Sequence, residues 1–214
     1  MSNHYDSYNP SEMIGPPLNV RGSQMIHENV QAVTVHVIGH LNVSKNVTTT
    51  NLKVSGDCRI AGNCEAGQIN NLGSLRVQHI KADKVVSSGY LSVAQEAVAG
   101  TFYAEGAVKI MRLTVDADIE IRLGNRSTIE IMQSRSNIIV KPSSKLINAV
   151  MQPFRKLTCE SIEGQNITLY RTTAKLVCGE EVVVGPGCSI GEIRYCKNLT
   201  VHPKSQVGKT IYSE

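Results

Sequence analysis

A short unit repeats from about Leu41 to Ile121: an apolar residue, any residue, a second apolar residue, then two or three small or polar residues. Clear copies are Leu41-x-Val43, Leu52-x-Val54, Cys58-x-Ile60, Leu75-x-Val77, Leu91-x-Val93, Phe102-x-Ala104, Val108-x-Ile110, Leu113-x-Val115 and Ile119-x-Ile121. Weaker copies begin at Val47, Cys64, Ile69, Ile80, Val85 and Ala97. Starts at 41, 47, 52, 58, 64, 69, 75 and 80 lie 6, 5, 6, 6, 5, 6 and 5 residues apart, so three units make 17. The starts at 41, 58, 75, 91 and 108 keep that longer period to within one residue. A fixed short period of alternating apolar residues marks a solenoid, because no repeat closes a core by itself and each must stack on its neighbours.

Within a unit the period is two, so two side chains point inward and the one between them points out. The pattern predicts an all-β fold, a single-stranded parallel β-helix with three short strands and about 17 residues per coil. Composition suits a narrow lumen: aromatic residues make up 4%, with no Trp and two Phe, which leaves Val, Ile, Leu, Ala and Cys to fill it. Gly56, Gly62, Gly67 and Gly73 follow the strand pairs at steps of 6, 5 and 6, and Gly100 and Gly106 repeat the step. A corner of two or three residues predicts a positive φ at these glycines.

Residues 1–25, with Asn9-Pro10 and Gly15-Pro16-Pro17 and no period, read as a disordered N-terminal tail. The solenoid is expected over 26–210, with looser, loop-bearing coils at about 122–156, and 211–214 as the C-terminal end. In the loose stretch the 17-residue step still connects Ile121 to Ile138, Leu123 to Val140, Val140 to Leu157 and Ile129 to Leu146. The segments 124–127, 133–136 and 141–144 read as loops at corners. The unit resumes with Leu157-x-Cys159, Ile167-x-Leu169, Val182-x-Val184, Cys188-x-Ile190, Ile193-x-Tyr195 and Leu199-x-Val201, with steps of 17 from 182 to 199 and from 176 to 193. Altogether this makes on the order of ten coils and a rod of roughly 45 to 50 Å.

A net charge of +4 over 214 residues is too mild to argue for nucleic acid. No basic stretch followed by an apolar one opens the chain and no apolar run reaches membrane-spanning length, so a cytoplasmic location is expected. Cys58, Cys64 and Cys188 fall in the apolar phase and read as small hydrophobes. With Cys159, Cys178 and Cys196 they match no common zinc spacing. His36 and His40 have helical spacing and would not share a strand face, so no metal is expected. Gly185-Pro186-Gly187 lacks the spacing and the Lys-Ser/Thr ending of a nucleotide loop. No catalytic residue, cofactor or small-molecule substrate is expected.

Two surfaces stand out. Asn42, Arg59, Arg76, Ser92 and Lys109 are the middle residues of successive equivalent strands and should form one outward column. Arg59, Arg76 and Lys109 in it are candidates for holding an anionic partner, against the plainer reading of a solvated face. The ends are the second, because a parallel β-helix leaves an unpaired strand edge and open core at each end, and no amphipathic helix is in sight to cover either. Val33, Val35 and Val37 at one end and Leu199, Val201 and Val207 at the other are the expected polymer contacts. Like ends meeting give a non-polar filament, and unlike ends a polar one.

Segments such as Leu52-Lys-Val-Ser-Gly-Asp-Cys-Arg-Ile-Ala-Gly62 and Val182-Val-Val-Gly-Pro-Gly-Cys-Ser-Ile190, a Pro-containing N-terminal stretch and the lack of an enzyme motif give a chain that resembles the bactofilins, the bacterial polymer-forming cytoskeletal family. The resemblance covers about Val30 to Val207. It implies a right-handed β-helix that polymerises without nucleotide into filaments, often at the inner face of the cell membrane, to scaffold cell shape, motility or envelope machinery. The implied partners are further copies of the chain, a related paralogue and a membrane or envelope protein. The repeat region is longer than the domain typical of that family, and the N-terminal stretch lacks an apolar or basic anchor. The rival is a left-handed hexapeptide enzyme, an acyltransferase or a carbonic anhydrase-like trimer. That fold needs strict six-residue steps and a histidine cluster, whereas this chain has frequent five-residue steps and scattered histidines.

Overall fold

The computed structural model describes residues 15–143 and 155–213. These residues contain strands and no helix, and every strand pairing is parallel. The strands stack as a β-solenoid of about 11 turns, roughly 17 residues apart. They merge around corners in places, so that Tyr90–Val115 reads as one 26-residue strand wrapped around the axis.

Each turn presents three faces to a common lumen. On one face Leu41, Cys58, Leu75 and Leu91 stack in register. A second stacks Val47, Cys64, Ile80 and Ala97. The third stacks Val35, Leu52, Ile69, Val85, Phe102 and Ile119. All eighteen apolar residues of the nine clear repeat copies are buried, each at 4% exposure or less. Burying a Val, Leu or Ile contributes about 1.5–3 kcal/mol, so this alternation is the main source of stability. The second face is lined by smaller side chains, Ala32, Thr49, Ala66, Ala82 and Ala99, which leaves room for Phe102 and the leucines opposite. Cys58, Cys64, Cys159 and Cys188 lie in this core, and burial pushes the Cys58 and Cys159 thiols up to about 12.

The corners close by polar contacts between coils. Asn46 Nδ2 and its backbone N–H donate to Asn29 Oδ1 at 3.3 and 3.2 Å, and the Asn63 N–H donates to Asn46 Oδ1 at 2.8 Å. A second such column joins Asp118, Asn137 and Asn166. Both columns satisfy groups that the strand ladder leaves free at a bend.

The corner glycines serve a different end from the one expected. Among the described glycines only Gly187 has a positive φ, of 76°. At Gly39, Gly56, Gly73, Gly89 and Gly106 a Cβ would instead lie 1.9–2.2 Å from a backbone carbonyl oxygen of the coil before. Close approach between coils, rather than the left-handed region, excludes a side chain there.

The solenoid begins earlier than the sequence pattern indicates. Leu18–Val20 pairs with Val35–Val37, and Ser23–Ile26 with His40–Val43. Gln24 and Met25 interrupt the apolar run, and only stacking on the next coil reveals these strands. Residues 1–14 of the expected tail lie outside the described residues. At the other end the last strand runs from Gln206 to Tyr212, two residues past the expected limit of 210.

The middle register also differs. Ile119 and Ile121, not Ile121 and Leu123, pair with Ile138 and Val140. Two residues added at the corner between Leu123 and Ser127 make this step 19. Leu157 pairs with Ser127 rather than Val140, across a longer insertion, and Leu146 lies outside the described residues. The next steps are shorter, with Leu157 on Thr172 and Val177, not Leu176, on Ile193. The two-residue differences at Ile119 and Leu157 leave side chains on the same side of the sheet, so alternation does not register them, whereas the one-residue difference at Val177 turns Leu176 out of the lumen. The segment 133–136 is an ordinary corner, and Lys141–Pro142 continues a strand.

Gly56→Ala, whose Cβ meets the Gly39 carbonyl at 1.9 Å, is expected to cost about 1–3 kcal/mol in a thermal or urea unfolding experiment. Gly22→Ala, with nothing within 4 Å, should change stability by no more than about 0.5 kcal/mol.

Candidate functional site

The outward column forms as the repeat dictates. Met25, Asn42, Arg59, Arg76 and Ser92 are successive register partners, and Lys109 pairs onward with Thr128. Arg59, Arg76 and Lys109 are all exposed. Arg76, however, is engaged within the chain. Its Nη1 donates to Asp57 Oδ1 at 2.7 Å, and its guanidinium lies 5.5 Å from the centre of the Tyr90 ring. Asp57 Oδ2 also receives His40 Nδ1 at 3.0 Å. A polar seam therefore crosses four coils, from His40 through Asp57 and Arg76 to Tyr90. Arg59 and Lys109 are two coils further apart than neighbours in the column. Asp57 sits 19 residues before Arg76, one coil and two residues, a spacing that the two-residue strand alternation does not display. His36 lies on a different face, between Asn19 and Lys53 in register.

Cross-coil ion pairs recur along the rod with one sense. Lys45–Glu28 (2.6 Å), Arg76–Asp57 (2.7 Å), Arg135–Asp116 (3.6 Å), Lys141–Glu120 (2.8 Å), Lys175–Glu160 (2.5 Å) and Lys197–Glu180 (2.6 Å) each join a base to an acid on a preceding coil. His40–Asp57 runs the other way. At the surface each pair contributes about 0–1 kcal/mol.

The two ends differ. At the N-terminal side Val35 and Val37 are fully buried beneath Leu18 and Val20, so they belong to the core and are not end contacts. Val33 is exposed at 42%, at a corner where its N–H donates to Gly15 O. At the C-terminal side the inward columns run out. Val182 and Val184 are 1% exposed, whereas Val201, stacked on Val184, is 38% exposed and Tyr212 56%. Leu199 and Val207 are only partly buried against the core. Tyr195 and Tyr212 meet edge to face at 5.5 Å between ring centres. Among the described residues no strand pairs with the outer edge of Gln206–Tyr212.

An open groove of about 510 Å³ crosses this end of one face, bordered by Thr158, Thr173, Ser189 and Gln206. The charges beside it, Glu160 and Lys175, neutralise each other. Among the described residues no three His, Cys, Asp or Glu side chains are grouped as metal ligands, and no helix is long and apolar enough to cross a membrane.

No family model matches the chain, and no solved structure matches it. Two curated relatives from Bacillus subtilis (strain 168), both described as uncharacterized proteins, match short stretches. YhbF is 46% identical over 52 residues, 24% of this chain and 22% of the relative. YhbE is 40% identical over 62 residues, 29% of this chain and 25% of the relative. The matched stretch thus spans about a quarter of either relative.

The pH dependence of stability follows from the carboxylates at the coil joints. Burial pushes Asp57 up, but the neighbouring Ser74 hydroxyl and the charges of Arg76 and His40 outweigh it and hold the carboxyl below the usual range. Hydrogen bonds from Asn137 and Ser136 hold Asp118 down, and those from Lys141 and Arg122 hold Glu120 down. Depressed folded-state values stabilise the fold above the unfolded pKa of about 4 and lose that contribution as pH falls through the folded values. The melting midpoint followed by circular dichroism should therefore drop once the pH goes below about 4. Asp118→Asn should flatten part of that drop.

Proposed function

We propose that the chain is a non-enzymatic structural scaffold that self-assembles through the ends of its β-solenoid, without nucleotide, into filaments that organise cell shape or the machinery of motility and the envelope. The observation that carries this reading is the C-terminal coil. Leu199 and Val207 pack only partly against the core, while Val201 and Tyr212 beside them are exposed apolar side chains. The strand beneath them carries a row of backbone groups with no described partner. Another solenoid coil meets both demands at once, continuing the apolar columns and the hydrogen-bond ladder. At the opposite end Leu18, Val20 and Ile26, rather than Val35 and Val37, are the residues nearest the edge.

In this reading the chain works in the cytoplasm at the inner face of the cell membrane. Its partners are further copies of itself, a related paralogue able to continue the same ladder, and an envelope protein. The bactofilin-like repeat supports it.

Negative-stain electron microscopy of the purified chain, with neither nucleotide nor metal added, is expected to show filaments. Val201→Arg should raise the concentration needed for assembly by at least about tenfold, because a charge is brought into an apolar joint, while leaving the far-ultraviolet β signal intact. Val35→Asp, inside the core, should abolish that signal and serves as the folding control. Discrete trimers from the unsubstituted chain would overturn the scaffold and direct attention to the hexapeptide enzymes.

A further inference from the structure

The segment Val85-Val86-Ser87-Ser88 contains the same inward pair, Val-x-Ser, in two overlapping frames. In the structure Val85 and Ser87 face the lumen at 1% and 0% exposure, while Val86 and Ser88 are half-buried on the outside. Sliding the segment by one residue would turn Val86 and Ser88 inward with no change in the chemistry of the buried pair. The strand already runs at a step of 16 before this point, with Cys64 on Ile80 and Ala66 on Ala82, so only a slip confined to the corner at Asp83 would set Asn71 against Ser88 instead of Ser87.

One residue in the lumen distinguishes the frames. Asn71 and Ser87 are fully buried in a column whose neighbours Val37, Val54 and Ala104 are apolar. Asn71 Nδ2 donates to Ser87 Oγ at 3.0 Å and to Tyr90 O at 2.8 Å, spanning the corner from the inside. Its Oδ1 has no hydrogen-bond partner. Other buried hydroxyls, such as Thr49 on Val33 O and Ser134 on Ala117 O, bond to backbone carbonyls, which every coil offers. The Asn71 bond is made to a side chain, and so depends on which residue lies opposite. We infer that Asn71 is a positioning residue that selects the Val85/Ser87 frame over the Val86/Ser88 frame.

The test reads the frame by thiol accessibility in the full chain, with the partly exposed Cys178 and Cys196 replaced by Ser. A cysteine placed by Val85→Cys should be protected from a thiol reagent when Asn71 is present. Adding Asn71→Val should raise its labelling rate by at least about tenfold, since loss of the buried hydrogen bonds equalises the frames. The buried Cys58 and Cys64 should stay protected. Adding Ser88→Lys, which cannot turn inward, should restore protection at position 85. Protection unchanged by Asn71→Val overturns the inference. So does labelling that rises in step with Cys58 and Cys64, which would make Asn71 a contributor to general stability. If Asn71→Val does not fold by circular dichroism, Asn71→Ser, too short to reach Tyr90 O, carries the same readout with the same two outcomes.

Discussion

No coil of this chain encloses a core, so stability rests on the contact of each inward side chain with its equivalents one coil before and one coil after. Leu41 on Cys58 on Leu75 is the elementary interaction, and the rest follows from keeping such columns continuous. Corners must bring backbones so close that Gly56 has no room for a Cβ over the Gly39 carbonyl. The Asn29, Asn46 and Asn63 column takes up amides that the bend removes from the ladder. Side chains on the outside are free of the columns and carry the ion pairs. A rod built in this way has uniform sides, and only its ends and its insertions are individual.

Alternation and period made the lumen legible in the sequence. They set parity, which side chains point in, and parity held from Leu41 to Ile121. They do not set register, because slips of two residues preserve parity. The 17-residue period sets Ile121 on Ile138, whereas two residues added at the corner before Ser127 place Ile119 there. The starting coil was hidden for a related reason: Leu18 and Val20 alone are too short a pattern, and their strand exists through contact with Val35 and Val37. That same contact moves Val35 and Val37 from the end of the rod into its core. The arginine column was readable as a column, but the attachment of Arg76 to Asp57 crosses coils diagonally and lay outside any two-residue rhythm.

The scaffold reading draws its weight from the contrast between sides and ends. Along the sides, grooves are open and charges are matched in place, as Glu160 is by Lys175. At the C-terminal coil the same columns that are sealed elsewhere lie partly open at Leu199, Val201 and Val207. A surface able to continue both the apolar columns and the ladder has to be shaped like another coil. That geometric demand narrows the class of partner more than composition or the short matches to uncharacterized relatives do.

The sense shared by the cross-coil Lys and Arg pairs gives the rod an electrical axis. Each base placed one coil beyond its acid shifts positive charge toward the C-terminal end, and the shifts add along the stack. Residues 196–214 carry Lys197, Lys204 and Lys209 against Glu214 alone, while residues 18–28 carry Arg21 and Glu28. The molecule is thus a long dipole, and the two senses of end-to-end contact are electrostatically unequal. Two C-terminal ends brought together oppose like charges, a repulsion that salt relieves over a Debye length of about 8 Å at physiological ionic strength. Ionic strength would therefore act on the direction in which such rods line up, and not only on how firmly they hold.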